Sequence, residues 1–270
     1  MTALELIGIR RSVRTYNGSP LTQRQLDSIR ALTEGTDNPY GIPVRWHILN
    51  AKEKGLSSPV IVGEDTYLTG VIDRVPHAEE AFGYSFEKLL LRCVEAGFGT
   101  VWIAGTMNRK AFESAVNLTQ GQAMPCVSPV GCPAEKMSAR ELLMRKGVGA
   151  DRRLSYSSLF FQQSFRTPVT EPLDSELKQL LDAVRLAPSA VNKQPWRVVV
   201  CGDSFHFYLK HNKGYLDSSG WDLQKIDLGI ALYHLAMVLE EKKGFEFLLD
   251  DPQLSAPADT DYIATLRSKA

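Results

Sequence analysis

Residues 9–21 and 161–173 are two versions of one segment. When Ile9-Arg-Arg-Ser-Val-Arg-Thr-Tyr-Asn-Gly-Ser-Pro-Leu21 is set above Phe161-Gln-Gln-Ser-Phe-Arg-Thr-Pro-Val-Thr-Glu-Pro-Leu173, five pairs coincide at a constant offset of 152. They are Ser12/Ser164, Arg14/Arg166, Thr15/Thr167, Pro20/Pro172 and Leu21/Leu173. Self-similarity at a fixed spacing limits the architecture to two related units. The stretches downstream of the two copies agree as well. Thr22 and Gln25 form a capping box before Leu26, Ile29 and Leu32, and Asp174 caps a helix carrying Leu177, Leu180, Leu181 and Val184. Arg45-Trp-His-Ile-Leu and Pro195-Trp-Arg-Val-Val-Val both read as strands, at an offset of 150. Long apolar helices are expected over about 85–96 and 225–242, each stopped by a glycine, Gly97 and Gly244. The seam between the halves is expected at 157/158, giving a first half over 1–157 and a second, truncated half over 158–270 that share one intertwined core.

Composition removes several function classes. The 270 residues carry 31 Lys+Arg against 31 Asp+Glu, so no broad field draws the chain to nucleic acid or an anionic membrane. At 44% hydrophobic residues the chain is apolar enough to fold. The N-terminal stretch has no basic region leading into a long apolar run, and no segment approaches the ~18 apolar residues of a membrane span. The expectation is a cytoplasmic protein. Cys93, Cys126, Cys132 and Cys201 show no CxxC pairing, and His47, His77, His206, His211 and His234 are scattered, so neither a disulfide framework nor a metal site is expected. Gly97-Phe-Gly99 does not open a dinucleotide fingerprint, because Trp102 stands where the third glycine belongs. No phosphate-binding lysine loop and no Gly-x-Ser-x-Gly elbow occurs.

The differences between the copies are reciprocal. Arg10 and Arg11 correspond to Gln162 and Gln163, while Ala187-Pro-Ser-Ala-Val-Asn-Lys-Gln-Pro-Trp196 has only the unrelated 33–43 loop opposite it. Each copy keeps something that the other lacks.

These residues carry a resemblance to the nitroreductase family of flavoproteins. Arg10-Arg-Ser-Val-Arg-Thr-Tyr16 resembles that family's Arg-Arg-Ser-x-Arg signature, and Ala187-Pro-Ser-Ala-Val-Asn-Lys-Gln-Pro-Trp196 resembles its Ala-Pro-Ser-x-x-Asn-x-Gln-Pro-Trp turn. Gly97-Phe-Gly-Thr-Val-Trp-Ile-Ala-Gly105, Val130-Gly-Cys-Pro-Ala-Glu135 and Asp151-Arg-Arg-Leu-Ser-Tyr156 are similar to further segments of the family. The resemblance implies an α+β, nitroreductase-like fold. Here two tandem half-units would form an intramolecular pseudo-dimer. In the family, two subunits share each FMN site, one supplying the Arg-Arg-Ser segment and the other the Pro-Ser turn. The reciprocal losses then imply a single FMN site per chain and a mirror-image site, built from Gln162, Gln163 and the 33–43 loop, that is abolished.

Residue roles follow from the resemblance, each beside a plainer reading. Arg10 and Arg11, with Arg152 or Arg153, would hold the FMN phosphate by charge-assisted hydrogen bonds, and Ser12 beside them belongs to the cofactor-binding set; alternatively the arginines are a solvated basic start to the fold and a loop pair. Arg14 is assigned to the N1/O2 edge of the flavin, where a cation stabilises the reduced ring, or else to a structural ion pair. Pro188, Ser189 and Ala190 form a tight turn laid against the ring system, with Asn192 nearby, or only a helix-to-strand connection. Gln194 and Trp196 are expected to be structural. Ala104 and Gly105 would bring their backbone close to the flavin N5; Thr106 departs from the family pattern there and leaves the N5 partner open.

The reaction implied is a two-electron ping-pong in which NAD(P)H reduces FMN and an electron-poor acceptor, such as a nitroaromatic or quinone, reoxidises it. The chain is expected to act as a monomer. The acceptor pocket is expected around 63–85 and 203–225. Two rivals stand beside this reading: a flavin or small-ligand binder without turnover, and a purely structural pseudo-dimer.

Overall fold

In the computed structural model, which describes residues 1–214 and 220–269, the chain divides into two units. One is Ile9–Gly149; the other joins Met1–Gly8 to Ala150–Ala270. The short helix α1 (Ala3–Ile9) opens the chain, and its Ala3 N–H donates to the Glu241 carboxylate at 2.7 Å, which ties the N-terminus to the C-terminal unit. Packing therefore draws its boundary at Gly149/Ala150, a different line from the repeat seam at 157/158. Leu154 N–H donates to the Gln194 carboxamide and Arg185 Nε to the Leu154 carbonyl, so this stretch already belongs to the second unit.

In the Ile9–Gly149 unit, α2 (Gln23–Leu32) starts at a complete capping box between Thr22 and Gln25. Strand β1 (Arg45–Asn50) comes next, then α3 (Ala51–Lys54), β2 (Thr66–Asp73), α4 (Ala78–Glu95), β3 (Gly99–Thr100), α5 (Arg109–Ala115), β4 (Gln122–Ala123), β5 (Val127–Gly131) and α6 (Ala139–Gly147). The antiparallel sheet has the order β1-β2-β5-β3, with β4 paired to the end of β2. Helix α4 begins seven residues before the expected start. Glu79 and Glu80 in its first turn favour the positive helix end, and Ala81, Phe82 and Tyr84 bury an apolar face that continues into Phe86 and Leu89. Trp46, Phe82, Phe86 and Trp102 stack over this helix, with ring centroids 4.8–6.5 Å apart.

The second unit contains α7 (Tyr156–Leu159), β6 (Phe160–Gln162), α8 (Ser175–Arg185), a short 3-10 turn at Ala190–Asn192, β7 (Trp196–Cys201), β8 (Ser204–Lys210), α9 (Leu223–Lys242), β9 (Phe245–Leu248) and β10 (Thr260–Ser268). Its sheet runs β6-β7-β8-β10-β9, antiparallel except for the β6/β7 pair. With β6 set aside, the order β7-β8-β10-β9 repeats β1-β2-β5-β3, and in both units a long helix links the second strand to the third in sequence. The duplication read from the sequence is therefore present in the topology. Helix α9 is apolar around most of its circumference and buried along fourteen positions, as a helix enclosed on several sides must be. Asp174 caps α8, whose Leu180, Leu181 and Val184 are buried.

The repeated segments, by contrast, take different partners. Ser12 and Thr15 bridge Thr100 and Val62 in parallel, whereas Phe160–Gln162 joins β7 as an added strand. Among the described residues no helix is long and apolar enough to cross a membrane.

Gly70 of β2 stands opposite Trp46 of β1, and a methyl group there would overlap the side chains of Val44, Trp46 and Phe82. Gly70→Ala should lower stability by about 1–3 kcal/mol, visible as a reduced thermal midpoint.

Candidate functional site

The predicted residues fall into one group in each unit. In the Ile9–Gly149 unit the 10–16 segment is extended and locked by its backbone. Val13 N–H donates to Thr100 O and Val62 N–H to Arg14 O, both at 2.9 Å; Tyr16 N–H donates to Val62 O at 2.9 Å, and Ala134 N–H to Thr15 O at 3.0 Å. The buried Tyr16 hydroxyl donates to Val13 O at 3.0 Å. Gly63 permits this threading because its φ is +81° and its Cα lies against the Tyr16 carbonyl. Arg10, Arg11, Ser12 and Arg14 are thus presented by a backbone with little freedom.

Two buried carboxylates face these arginines. Glu87 of α4 accepts Trp102 Nε1–H at 2.6 Å through Oε2, and its Oε1 lies 3.9 Å from Arg10 Nε. Glu141 of α6 is placed by the Ser138 cap; its Oε2 accepts Thr15 Oγ1–H at 2.8 Å and Arg14 N–H at 3.3 Å, and its Oε1 lies 3.6 Å from Arg11 Nη1. Arg10 Nε and Arg11 Nη1 are buried without a hydrogen-bond acceptor. The half-buried Arg14 guanidinium makes no hydrogen bond or ion pair among the described residues of its unit. Burial pulls the Arg10 and Arg14 guanidiniums below their ordinary pKa, opposed by Glu87 and Glu141 respectively, while Arg145 repels both. They stay charged, since arginine starts so high. Arg10 and Arg11 thus each face one carboxylate and hold a buried donor in reserve, with the Arg14 charge nearby, a set that fits a phosphate dianion.

Ala104 and Gly105 lie in the bend after Ile103, where Ala104 O accepts Arg109 Nη2–H at 2.9 Å. Gly105 is exposed, and nothing stands within 4 Å of the place a side chain would occupy. Its backbone is open to a flat ligand.

In the second unit the 188–194 turn is bound together by its own side chains. Ser189 Oγ accepts Gln194 N–H at 2.9 Å, Asn192 Nδ2 donates to Arg152 O at 2.9 Å, and Ala190 N–H donates to both carboxyl oxygens of Asp227 at 3.0 Å. Val191, Asn192 and Gln194 have φ of 42°, 59° and 52°. Left-handed backbone at a β-branched residue such as Val191 costs about 1–3 kcal/mol and persists only where surrounding bonds enforce it. Arg153 directs its guanidinium at the carbonyls of Ala150, Arg152 and Leu186 and at Asn192 Oδ1. It braces the turn. Arg152 keeps an exposed guanidinium. Gln194 and Trp196 are buried.

Glu87, Glu141 and Asp227 were not among the residues singled out from the sequence. Each carried a signal. Glu87 and Asp227 are acids inside apolar helical runs, where a charge must be compensated, and Glu141 completes the Ser138-x-x-Glu pattern. Two hollows of the Ile9–Gly149 unit lie elsewhere. One, of about 370 Å³, is lined by residues including Lys52, Ser58, Glu64 and Tyr67; the other, of about 300 Å³, lies under the 33–43 loop against Trp46. Neither contains a predicted cofactor-binding residue, but the first is also lined by Gly63 and Asp65 and so draws on the 63–85 stretch expected to form an acceptor pocket. Of the regions expected to form an acceptor pocket, 63–85 is largely β2 and the start of α4, and 215–219 lie outside the described residues.

A family model described as "Putative TM nitroreductase" matches residues 2–238. The chain belongs to that family. Its fold is similar to a solved structure described as a "putative nitroreductase" from Thermotoga maritima MSB8, with a TM-score of 0.63, 20% identity, and coverage of 99% of this chain and 94% of that one. A nitroreductase family protein from Clostridium novyi NT aligns with a TM-score of 0.43 and 14% identity over 50% of this chain and 87% of its own. An FMN-dependent nitroreductase from Clostridium difficile R20291 aligns with a TM-score of 0.42 and 16% identity over 50% and 89%. No curated protein matches the chain. The fold is therefore of the nitroreductase type, in two units, and the family places the chain among the oxidoreductases.

Two predictions concern the turn. Val191 is 58% exposed, so Val191→Gly removes strain at little packing loss and should raise stability by about 1 kcal/mol in a thermal melt. Asp227 is pushed well above the ordinary carboxylate range by burial and, less strongly, by Asp222, against the pull of the Ala190 N–H. A raised folded-state pKa contributes stability at low pH that is lost as pH rises through it. Stability should therefore decline towards alkaline pH, and Asp227→Asn should flatten that slope in melts taken across the range.

Proposed function

We propose that the chain is an FMN-dependent oxidoreductase of nitroreductase type, which takes hydride from NAD(P)H and passes it to an electron-poor acceptor such as a nitroaromatic or quinone. Membership of the family supports the reaction class. The observation that carries the cofactor is the arginine group: Arg10, Arg11 and Arg14 on a segment held by backbone bonds from Val13 to Tyr16, with buried N–H groups of Arg10 and Arg11 lacking acceptors. An FMN phosphate would accept from Arg10, Arg11 and the adjacent Ser12 of the Ile9–Gly149 unit. Bound FMN supplies the hydride chemistry, so the protein's task is to bind, orient and tune.

Arg14 has no carboxylate to itself and would lend its charge to whatever negative charge develops nearby, which favours reduction of an electron acceptor held there. Ala104 and Gly105 would offer open backbone to the ring edge. Pro188, Ser189, Ala190 and Asn192 would form a rigid wall for the ring, braced by Arg153. We read the two units as the fused halves of a pseudo-dimer that acts as a monomer with one FMN per chain.

The purified protein should be yellow, or become so with one equivalent of FMN, and NADH or NADPH should bleach it without oxygen. Colour without bleaching would make it a flavin-binding protein with no turnover; no colour at micromolar excess of FMN would end both readings. Arg10→Gln with Arg11→Gln, the residues the second copy carries, should weaken FMN binding by about 100-fold or more, measured by fluorescence quenching. Unchanged affinity would refute the phosphate assignment.

A further inference from the structure

Asp227 has an environment that its own helix does not explain. It lies in the second turn of α9 and is 4% exposed. Both its oxygens converge on one donor, the Ala190 N–H, at 3.0 Å. Among the described residues of its unit no cation or second donor meets the carboxyl group. Leucine at this position would satisfy α9, whose neighbouring residues Ile226, Leu228 and Ile230 are buried and apolar. A polar group buried at that expense is kept for what it holds. What it holds is the residue immediately before Val191, the most strained position of the turn, and the bond joins that turn to the longest helix of the unit. Other bonds of Ser189, Asn192 and Gln194 run within the turn, to the neighbouring 152–154 stretch and to Arg197 of β7.

We propose that Asp227 is a positioning residue for the flavin site, holding the 188–192 turn in its strained shape through the Ala190 N–H. The proposal rests on the FMN reading above. Asp227 touches neither flavin nor substrate in this role. It keeps the turn in the shape that flavin meets, so binding does not have to order it.

The test uses the full-length protein with and without FMN. Asp227→Leu keeps the branched shape, with two methyl groups in place of the oxygens, and removes the acceptor; Asp227→Asn keeps an acceptor oxygen. In flavin-free protein, amide hydrogen exchange across 187–194 should quicken about tenfold or more in Asp227→Leu and stay within about threefold of the parent in Asp227→Asn. FMN should bind Asp227→Leu about tenfold more weakly, with Asp227→Asn restoring affinity. Should the leucine variant fail to fold, Asp227→Ala takes its place. Unchanged exchange overturns the anchor. Faster exchange with unchanged FMN affinity overturns the positioning role and leaves a structural bond. A parent protein that binds no FMN overturns the flavin reading itself, a result that the unmutated protein delivers separately and first.

Discussion

A carboxylate removed from water must gather donors or give up its charge, and that requirement organises both units of this protein. Glu141 is 1% exposed and lies where α6 meets the 10–16 segment. It takes Thr15 and the Arg14 backbone as donors and draws Arg11 towards it. Glu87 does the same for Trp102 and Arg10. The arginines are therefore held from below by buried anions, with donors still unmatched. Asp227 shows the other solution: with one N–H for two oxygens its carboxyl is pushed towards the neutral form.

The two copies show how far sequence similarity and structural role can separate. Their strand orders agree, because a long helix after a hairpin returns the chain to the same edge in each half. Their matched Ser-x-Arg-Thr motifs do not play the same part. Ser12 and Thr15 lie beside Thr100 and Val62, while Ser164–Thr167 makes a turn, with Gln162 N–H donating to Thr167 O at 2.8 Å, directly after the strand at 160–162 that extends the sheet next to β7. The copy with the added strand is the one with glutamines, and the copy with the threaded segment is the one with arginines above buried acids.

Much of this was legible from residue patterns. The Thr22/Gln25 capping box, the Asp174 cap, and the strands at Trp46 and Trp196 are local signals, since each depends on residues within a turn or on a period of two. The start of α4 was not legible to the same degree, because Gly83 and the polar 77–80 stretch look like a loop until Phe82 and Phe86 find Trp46 and Trp102. The candidate residues are visible as motifs, but their partners are not. Nothing local links Glu87 to Arg10 or Asp227 to Ala190, which are separated by 77 and 37 positions in the chain.

The amino-acid sequence by itself determined the duplication, the helix caps, the matched strands at Trp46 and Trp196, and the reciprocal survival of an arginine segment and a Pro-Ser turn. These follow from composition and short-range periodicity, which act before the chain is compact. Only the tertiary structure decided that Arg153 braces the turn while Arg152 keeps an exposed guanidinium, that Val191 is held left-handed, and that three acids inside helices govern the candidate site. Those outcomes depend on which groups lose water together, and desolvation is a property of the packed molecule.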